Sequence, residues 1–182
     1  MVITISGDIG SGKSTVGRML VQKLDYKYLS TGGIQRQIAR EMGLTTLQLN
    51  VLSEKSSDID DRIDAHTIAI SEAPDNYVVD SRLAWHFIPS SFKVYLQCST
   101  EEAARRISLD SSRLGEKKET NVRNLLDKIL DRRASEKRRF LQKYNVDYTL
   151  LHQYDLVVNT TSISPETVMD EVLRHFKDWQ LF

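Results

Sequence analysis

Apolar residues along this chain follow two rhythms. Short runs at Val2 to Ser6, Tyr77 to Asp80, Lys93 to Gln97 and Asp155 to Val158 read as strands, with Lys27 to Leu29 as a weaker fifth. Between them the spacing lengthens to that of a helix. Val16, Met19, Leu20 and Leu24 line one face after the first strand, and Val168, Val172 and Phe176 line one face near the end. Strands alternating with helices predict an α/β fold with a parallel sheet covered on both sides. Helix starts carry their own marks: Ser99 stands three residues before Glu102, a capping-box pattern, and Ser164-Pro165-Glu166 supplies an N-cap, an N1 proline and an early acid. The polar stretch from Ser108 to Thr120, with Gly115 inside it, fits neither rhythm and is expected to form a flap between two helices.

A length of 182 residues suits one well-buried domain, and 40% hydrophobic with 27% charged residues excludes a disordered or fibrous chain. Cys98, the one cysteine, lies in an apolar run and reads as a small buried thiol, so a reducing, cytoplasmic setting is expected. No basic leader precedes the first strand, and no run approaches the roughly 20 apolar residues of a membrane span. His66, His86, His152 and His175 show no metal-ligand spacing.

Chemistry enters at the end of the first strand. Gly7-Asp8-Ile9-Gly10-Ser11-Gly12-Lys13-Ser14 matches G-x-x-x-x-G-K-[ST], directly after a strand and directly before an amphipathic helix. Glycines let the loop curl so that backbone N–H groups converge, and the helix adds its positive end, so Gly7 to Thr15 form a candidate ATP-binding cradle. Within it Lys13 is placed for the β- and γ-phosphates, Ser14 for Mg²⁺, and Thr15 for the α-phosphate. A second acid for the metal belongs at the end of a neighbouring buried strand, where Asp80 stands. Asp80 also fits an ordinary strand-ending turn residue. Arg82, two residues on, would hold a second anion at the same sheet edge.

Zero net charge conceals a strong division. Residues 53–80 carry 2 basic and 8 acidic groups, whereas 105–143 carry 13 and 6. In the basic block Val122, Leu125 and Ile129 mark a buried helical face that continues through Arg132, Glu136 and Arg139, so an inward stripe turns ionic. Buried guanidinium groups need a partner, and phosphate oxygens match their fork. The same positions also fit a solvated basic helix paired with Glu136, Asp131 and the acidic 53–80 stretch. Nucleic-acid binding lacks support, since no aromatic platform interleaves the basic residues. A guanine-reading N/T-K-x-D motif is absent, which sets regulatory GTPases aside.

Along most of its length the chain resembles the cytidylate kinase group of nucleoside monophosphate kinases. The resemblance is carried by Gly7 to Thr15, by Ser30-Thr31-Gly32-Gly33-Ile34-Gln35-Arg36, by Asp80-Ser81-Arg82, by the helix from Arg132 to Arg139, and by Tyr154 to Thr160. It implies a single P-loop three-layer α/β/α domain over 1–182, with a five-stranded parallel sheet in the order 2-3-1-4-5. It further implies an acceptor-binding (NMP) segment at about 31–72 and a LID at about 108–120. By that resemblance Ser30 serves the pyrimidine pocket, Arg36 and Arg82 bind the acceptor phosphate, Arg132 and Arg139 bridge the two phosphate sites, and Glu136 lies near the acceptor. Asp60 and Asp64 resemble a helix closing over the monophosphate, though a solvated acidic helix has the same pattern. The implied reaction is transfer of the γ-phosphate of ATP to CMP or dCMP with Mg²⁺, by a monomer that uses neither nucleic acid nor membrane. Two positions depart from the family: Ser81-Arg82-Leu83 replaces Gly-Arg-Asp, and Ala65-His66 stands where a basic residue is usual. A small P-loop kinase for AMP, shikimate or dephospho-coenzyme A, and a regulatory nucleotide-binding module, remain as rival readings.

Overall fold

The computed structural model describes residues 1–53, 56–109 and 122–181, with the backbone alone for 46, 47 and 122. Five parallel strands form one sheet in the order β2-β3-β1-β4-β5: β1 Val2–Gly7, β2 Lys27–Ser30, β3 Tyr77–Asp80, β4 Phe92–Gln97 and β5 Leu156–Asn159. The expected order and all five expected strands are present, with ends moved by a residue.

Sheet pleating divides β1 between two environments. Ile3 and Ile5 point to one face, where α1 (Lys13–Leu24) and α8 (Pro165–Trp179) cover them with Val16, Leu20, Val168, Val172 and Phe176. Thr4 and Ser6 point to the other face and are equally buried, so their hydroxyls must be bonded. Thr4 Oγ1 lies 3.1 Å from Ser91 Oγ, and Ser6 Oγ donates to the Arg82 carbonyl at 3.2 Å. Around them sits an aromatic cluster of Trp85, Tyr95, Phe140, Tyr148 and Tyr154. The long helix α7 (Val122–Tyr144) reaches this cluster through Phe140.

Three helices, α2 (Thr31–Glu41), α3 (Thr46–Ser53) and α4 (Asp58–Ser71), stand between β2 and β3 around a small core of their own: Ile38, Ala39, Leu49 and Ile59. A one-turn α5 (Ala84–Phe87) follows β3, and α6 (Thr100–Leu109) follows β4. Both caps read from the sequence form: Ser99 Oγ accepts from the Glu102 N–H at 3.2 Å, and Ser164 Oγ accepts from the Thr167 N–H at 3.2 Å. From residue 110 on, the expected flap at 108–120 lies outside the described residues. Among the described residues no helix is long and apolar enough to cross a membrane.

Candidate active site

Strand register assembles the site. Ile5 and Ser30 both pair with Asp80, so the ends of β1, β2 and β3 meet at one edge of the sheet. Ligands of open α/β sheets bind at this edge. A cavity of about 1170 Å³ opens there, lined by Ile9 to Val16, the start of α2, Asp60, Asp80 to Leu83, and the inner face of α7. Eight basic side chains line it against five acidic ones, a surplus that favours an anion.

The loop from Gly7 to Gly12 has its shape for steric reasons. Gly7 pairs with Leu96, and a Cβ there would lie 2.2 Å from the Leu96 carbonyl oxygen. Gly12, the N-cap of α1, sits at φ 88°, a left-handed conformation that disfavours side chains. Residues after it open the first turn of α1, where backbone N–H groups have no internal acceptor. Lys13 Nζ folds back to donate to the Asp8 carbonyl at 2.6 Å and the Gly7 carbonyl at 3.2 Å. Burial, helped by the charge of Arg82, pushes its ammonium down to about 7.

One residue of the expected cradle works elsewhere. The Asp8 N–H donates to the Leu96 carbonyl at 2.9 Å. Its carboxylate accepts from Tyr95 Oη at 3.1 Å and the Cys98 N–H at 3.0 Å, and Arg133 lies 3.3 Å away. Asp8 therefore braces the loop against β4 and α7, and neither its amide nor its side chain is left for phosphate. Gly7, bound into the sheet, does not line the cavity either.

Ser14 and Asp80 are brought together: Ser14 Oγ donates to Asp80 Oδ2 at 2.5 Å. Tyr28 Oη donates to the same oxygen at 3.1 Å, and Ser30 Oγ lies 3.5 Å from it. Tyr28 was not legible as a site residue, because only the β2–β3 pairing brings it there. It also depends on Gly17, where a Cβ would come within 3.0 Å of the Tyr28 ring. Ser30 is principally the N-cap of α2, accepting from the Gly33 N–H at 3.2 Å. Hard oxygen donors side by side suit Mg²⁺, so Ser14 and Asp80 fit that ion.

On α7 the ionic stripe faces inward as its spacing implied. Glu136 is buried and accepts from Arg82 Nε at 2.8 Å and Arg132 Nε at 2.9 Å, one carboxylate between two guanidinium groups. Burial alone would raise its pKa, but Arg82 and Arg132 outweigh burial and hold the carboxyl at about 2. Arg139 turns to α4, its Nε 3.2 Å from Asp60 Oδ2. That contact is near enough to pair by charge but lies outside hydrogen-bond alignment, and both atoms are buried without another partner. Burial accordingly raises the Asp60 pKa against the opposing effect of Arg139 and Lys143. Asp64 accepts a short hydrogen bond from Tyr144 Oη, and Lys143 bonds Asp61 at 2.7 Å. Pairing of the basic helix with the acidic stretch is thus real: Arg139–Asp60 and Tyr144–Asp64 lie in the cavity wall, whereas Lys143–Asp61 lies at the surface. Arg36 lines the cavity and has no ion pair among the described residues.

Arg106, a further lining residue without a sequence motif, clamps two loops. It bonds Glu102 at 2.8 Å, the Thr160 carbonyl at 2.6 Å and the Gly10 carbonyl at 3.3 Å. Thr160 Oγ1 in turn lies 3.0 Å from the Ser11 carbonyl.

A glycine loop between a parallel strand and a helix, with an acid at the adjacent strand end, defines a nucleotide-binding P-loop protein. Residues 2–162 match the cytidylate kinase-like family, and the chain belongs to that family. It is 35% identical over 172 residues to a cytidylate kinase of Sulfurisphaera tokodaii, covering 92% of this chain and 91% of that one. It is also 34% identical over 176 residues to an S-adenosylmethionine-dependent nucleotide dehydratase of Lacinutrix mariniflava, covering 96% of this chain but 36% of that protein. Among solved structures, a shikimate kinase from Bacteroides thetaiotaomicron superposes with a TM-score of 0.66 at 16% identity over 100% of this chain and 99% of that one, a likeness of fold.

Proposed function

We propose that this protein transfers the γ-phosphoryl group of ATP to the phosphate of CMP or dCMP, giving ADP and CDP or dCDP. The reading rests on one cavity lined both by the P-loop and by Arg36, Arg82, Arg132 and Arg139, in a chain of the cytidylate kinase-like family. Loop amides and the head of α1 hold the donor phosphates, and Lys13 swings from its own loop carbonyls onto their oxygens. Arg36, Arg82 and Arg139 hold the acceptor phosphate, while Arg132 neutralises charge developing between donor and acceptor. Glu136 keeps Arg82 and Arg132 together by their Nε atoms, leaving the terminal nitrogens of each guanidinium for phosphate oxygens. Ser14 and Asp80 hold Mg²⁺, which when bound neutralises phosphate oxygens and orients them. No general base is required, because the acceptor phosphate is already anionic near neutral pH. Catalysis is positioning plus charge neutralisation.

The test is a panel of CMP, dCMP, UMP, AMP, GMP and shikimate with Mg-ATP, followed as ADP release. Turnover is expected with CMP or dCMP. Preference for AMP or shikimate rejects the cytidylate assignment, and turnover with none of them favours a binding module.

A further inference from the structure

We infer that the ion pair between Asp8 and Arg133 sets the phosphate loop and α7 in register, and that Arg133 is thereby a positioning residue for Arg132. The inference rests on the kinase reading above, in which Arg132 neutralises charge developing between donor and acceptor.

Placing Arg132 over the donor phosphates requires that α7 be fixed in rotation and along its axis. On the side of the phosphate loop, Leu125 and Ile129 pack with Ile9 of the loop itself, with Cys98 after β4, and with Ala103 and Ala104 of α6. Apolar contact of this kind presses the helix onto the loop, but it is non-directional and leaves rotation weakly fixed. The pair of Arg132 with Glu136 does not fix it either, since both residues belong to α7 and turn with it. Arg82, Asp60 and the aromatic cluster hold the part of α7 from Glu136 onward. Nearer the loop, a directional tie comes from Arg133.

Counted from Ile129, Arg132 is three residues on and Arg133 four, so the two stand on either side of the buried stripe, about 100° apart. Arg132 lines the cavity, whereas Arg133 does not, and its Nη1 lies 3.3 Å from Asp8 Oδ1. Asp8 is a firm anchor. Its carboxylate accepts from Tyr95 Oη at 3.1 Å and the Cys98 N–H at 3.0 Å, while its own N–H donates to the Leu96 carbonyl at 2.9 Å. A carboxylate fixed in this way belongs to the sheet and to the phosphate loop at once, so a guanidinium paired with it places the helix relative to the loop. Any turn of α7 that carries Arg132 away from the donor phosphates must also part Arg133 from Asp8. The Arg133 side chain is 43% exposed, and an ion pair that open to water adds little to folding. Misplacing a group that acts in the transition state by about 1 Å, in contrast, can cost up to about 100-fold in rate. The pair is therefore expected to act on kcat far more than on Tm.

The experiment measures kcat with the nucleoside monophosphate that is turned over, Mg-ATP affinity by calorimetry, and Tm. Arg133→Met, which keeps the length and removes the charge, should lower kcat roughly tenfold with ATP affinity within about twofold and Tm nearly unchanged. Arg133→Lys, which can still meet Asp8, should keep most of kcat. Because Arg133 acts through Arg132, adding Arg133→Met to Arg132→Ala should bring little further loss, and adding it to Asp8→Asn likewise. A merely structural role would lower Tm and would persist in the Arg132→Ala background. The proposal is overturned if Arg133→Met leaves kcat unchanged, if its loss is as large without Arg132, or if Arg133→Lys is no better than Arg133→Met. If Arg133→Met does not fold, Arg133→Lys and Asp8→Asn, each with and without Arg132→Ala, decide by the same criteria. If no nucleoside monophosphate is phosphorylated, the proposed reaction fails. The positioning role is then judged by the affinity for Mg-ADP with aluminium fluoride, a stand-in for the phosphoryl group in transfer. Arg133→Met should weaken that binding several-fold and leave Mg-ADP alone unaffected, and equal binding overturns the role.

Discussion

Glu136 carries the sharpest quantitative expectation. Its carboxylate is buried between Arg82 and Arg132, with its side chain 9% exposed and that of Arg82 15%. Replacing it by Gln removes the charge while keeping the shape, and strands two guanidinium groups in a poorly solvated place. Losing one partner of a buried ion pair costs about 3–5 kcal/mol. Proton linkage gives a separate route to the magnitude. The carboxyl is held at about 2 against an ordinary value of 4.5. A depression of that size corresponds to roughly 3 kcal/mol of stability at neutral pH. Since the folded value is below the unfolded one, this contribution is complete above about pH 4.5 and is lost as pH falls through about 2. At pH 3.5 about 2 kcal/mol of it should remain. Urea unfolding of wild type and Glu136→Gln at pH 7 and pH 3.5 measures both quantities, and a drop in Tm of roughly 10 °C should accompany the loss at neutral pH. A difference below about 1 kcal/mol at pH 7, or one that does not shrink at pH 3.5, would refute the account of Glu136 as the shared counter-ion.

Other residues give separate tests. Gly7→Ala should prevent stable folding, because its Cβ would meet the Leu96 carbonyl at 2.2 Å, whereas Gly12→Ala, with no atom within 4 Å, carries only left-handed strain of about 1 kcal/mol; thermal melts of the two variants check the contrast. Arg132→Ala should lower kcat by about 10³ while changing ATP affinity little, and an unchanged kcat removes it from the reaction. Tyr28→Phe deletes a hydrogen bond to Asp80 Oδ2 but keeps the ring packed against Gly17, so it should raise the Mg²⁺ concentration needed for half-maximal ADP binding several-fold with Tm nearly unchanged. Calorimetric titration of Mg²⁺ in the presence of ADP reads this without turnover, and an unaltered Mg²⁺ dependence would remove Tyr28 from that role.

Features readable along the chain share a physical basis: they depend on neighbours within about four residues. The glycine loop, the caps at Ser99 and Ser164, the alternation of β1 and the inward stripe Leu125, Ile129, Arg132, Glu136 and Arg139 all follow from local geometry with periods of 2 and 3.6. The stripe could be placed on the inner face of its helix, but its partners could not be assigned from spacing. Arg82 reaches Glu136 across 54 positions, and Arg139 reaches Asp60 from a separate helix.

Tertiary structure decided the rest, through strand register and the packing of distant helices. Asp8 occupies a motif position, yet pairing of β1 with β4 places it against Tyr95 and Cys98 and takes it out of the phosphate cradle. Ser30 aligns with Asp80 only because β2 lies beside β3, and the same alignment recruits Tyr28 through the space left at Gly17. Arg106 gains its role from loops nearly 100 and about 54 residues away. Gln35 reads in the sequence as one polar residue on an amphipathic helix; its hydrogen bond to Asn50 ties α2 to α3 across 15 positions. Local periodicity determines which face of an element is buried, whereas the identity of the buried partner depends on contacts between parts of the chain that sequence spacing does not relate.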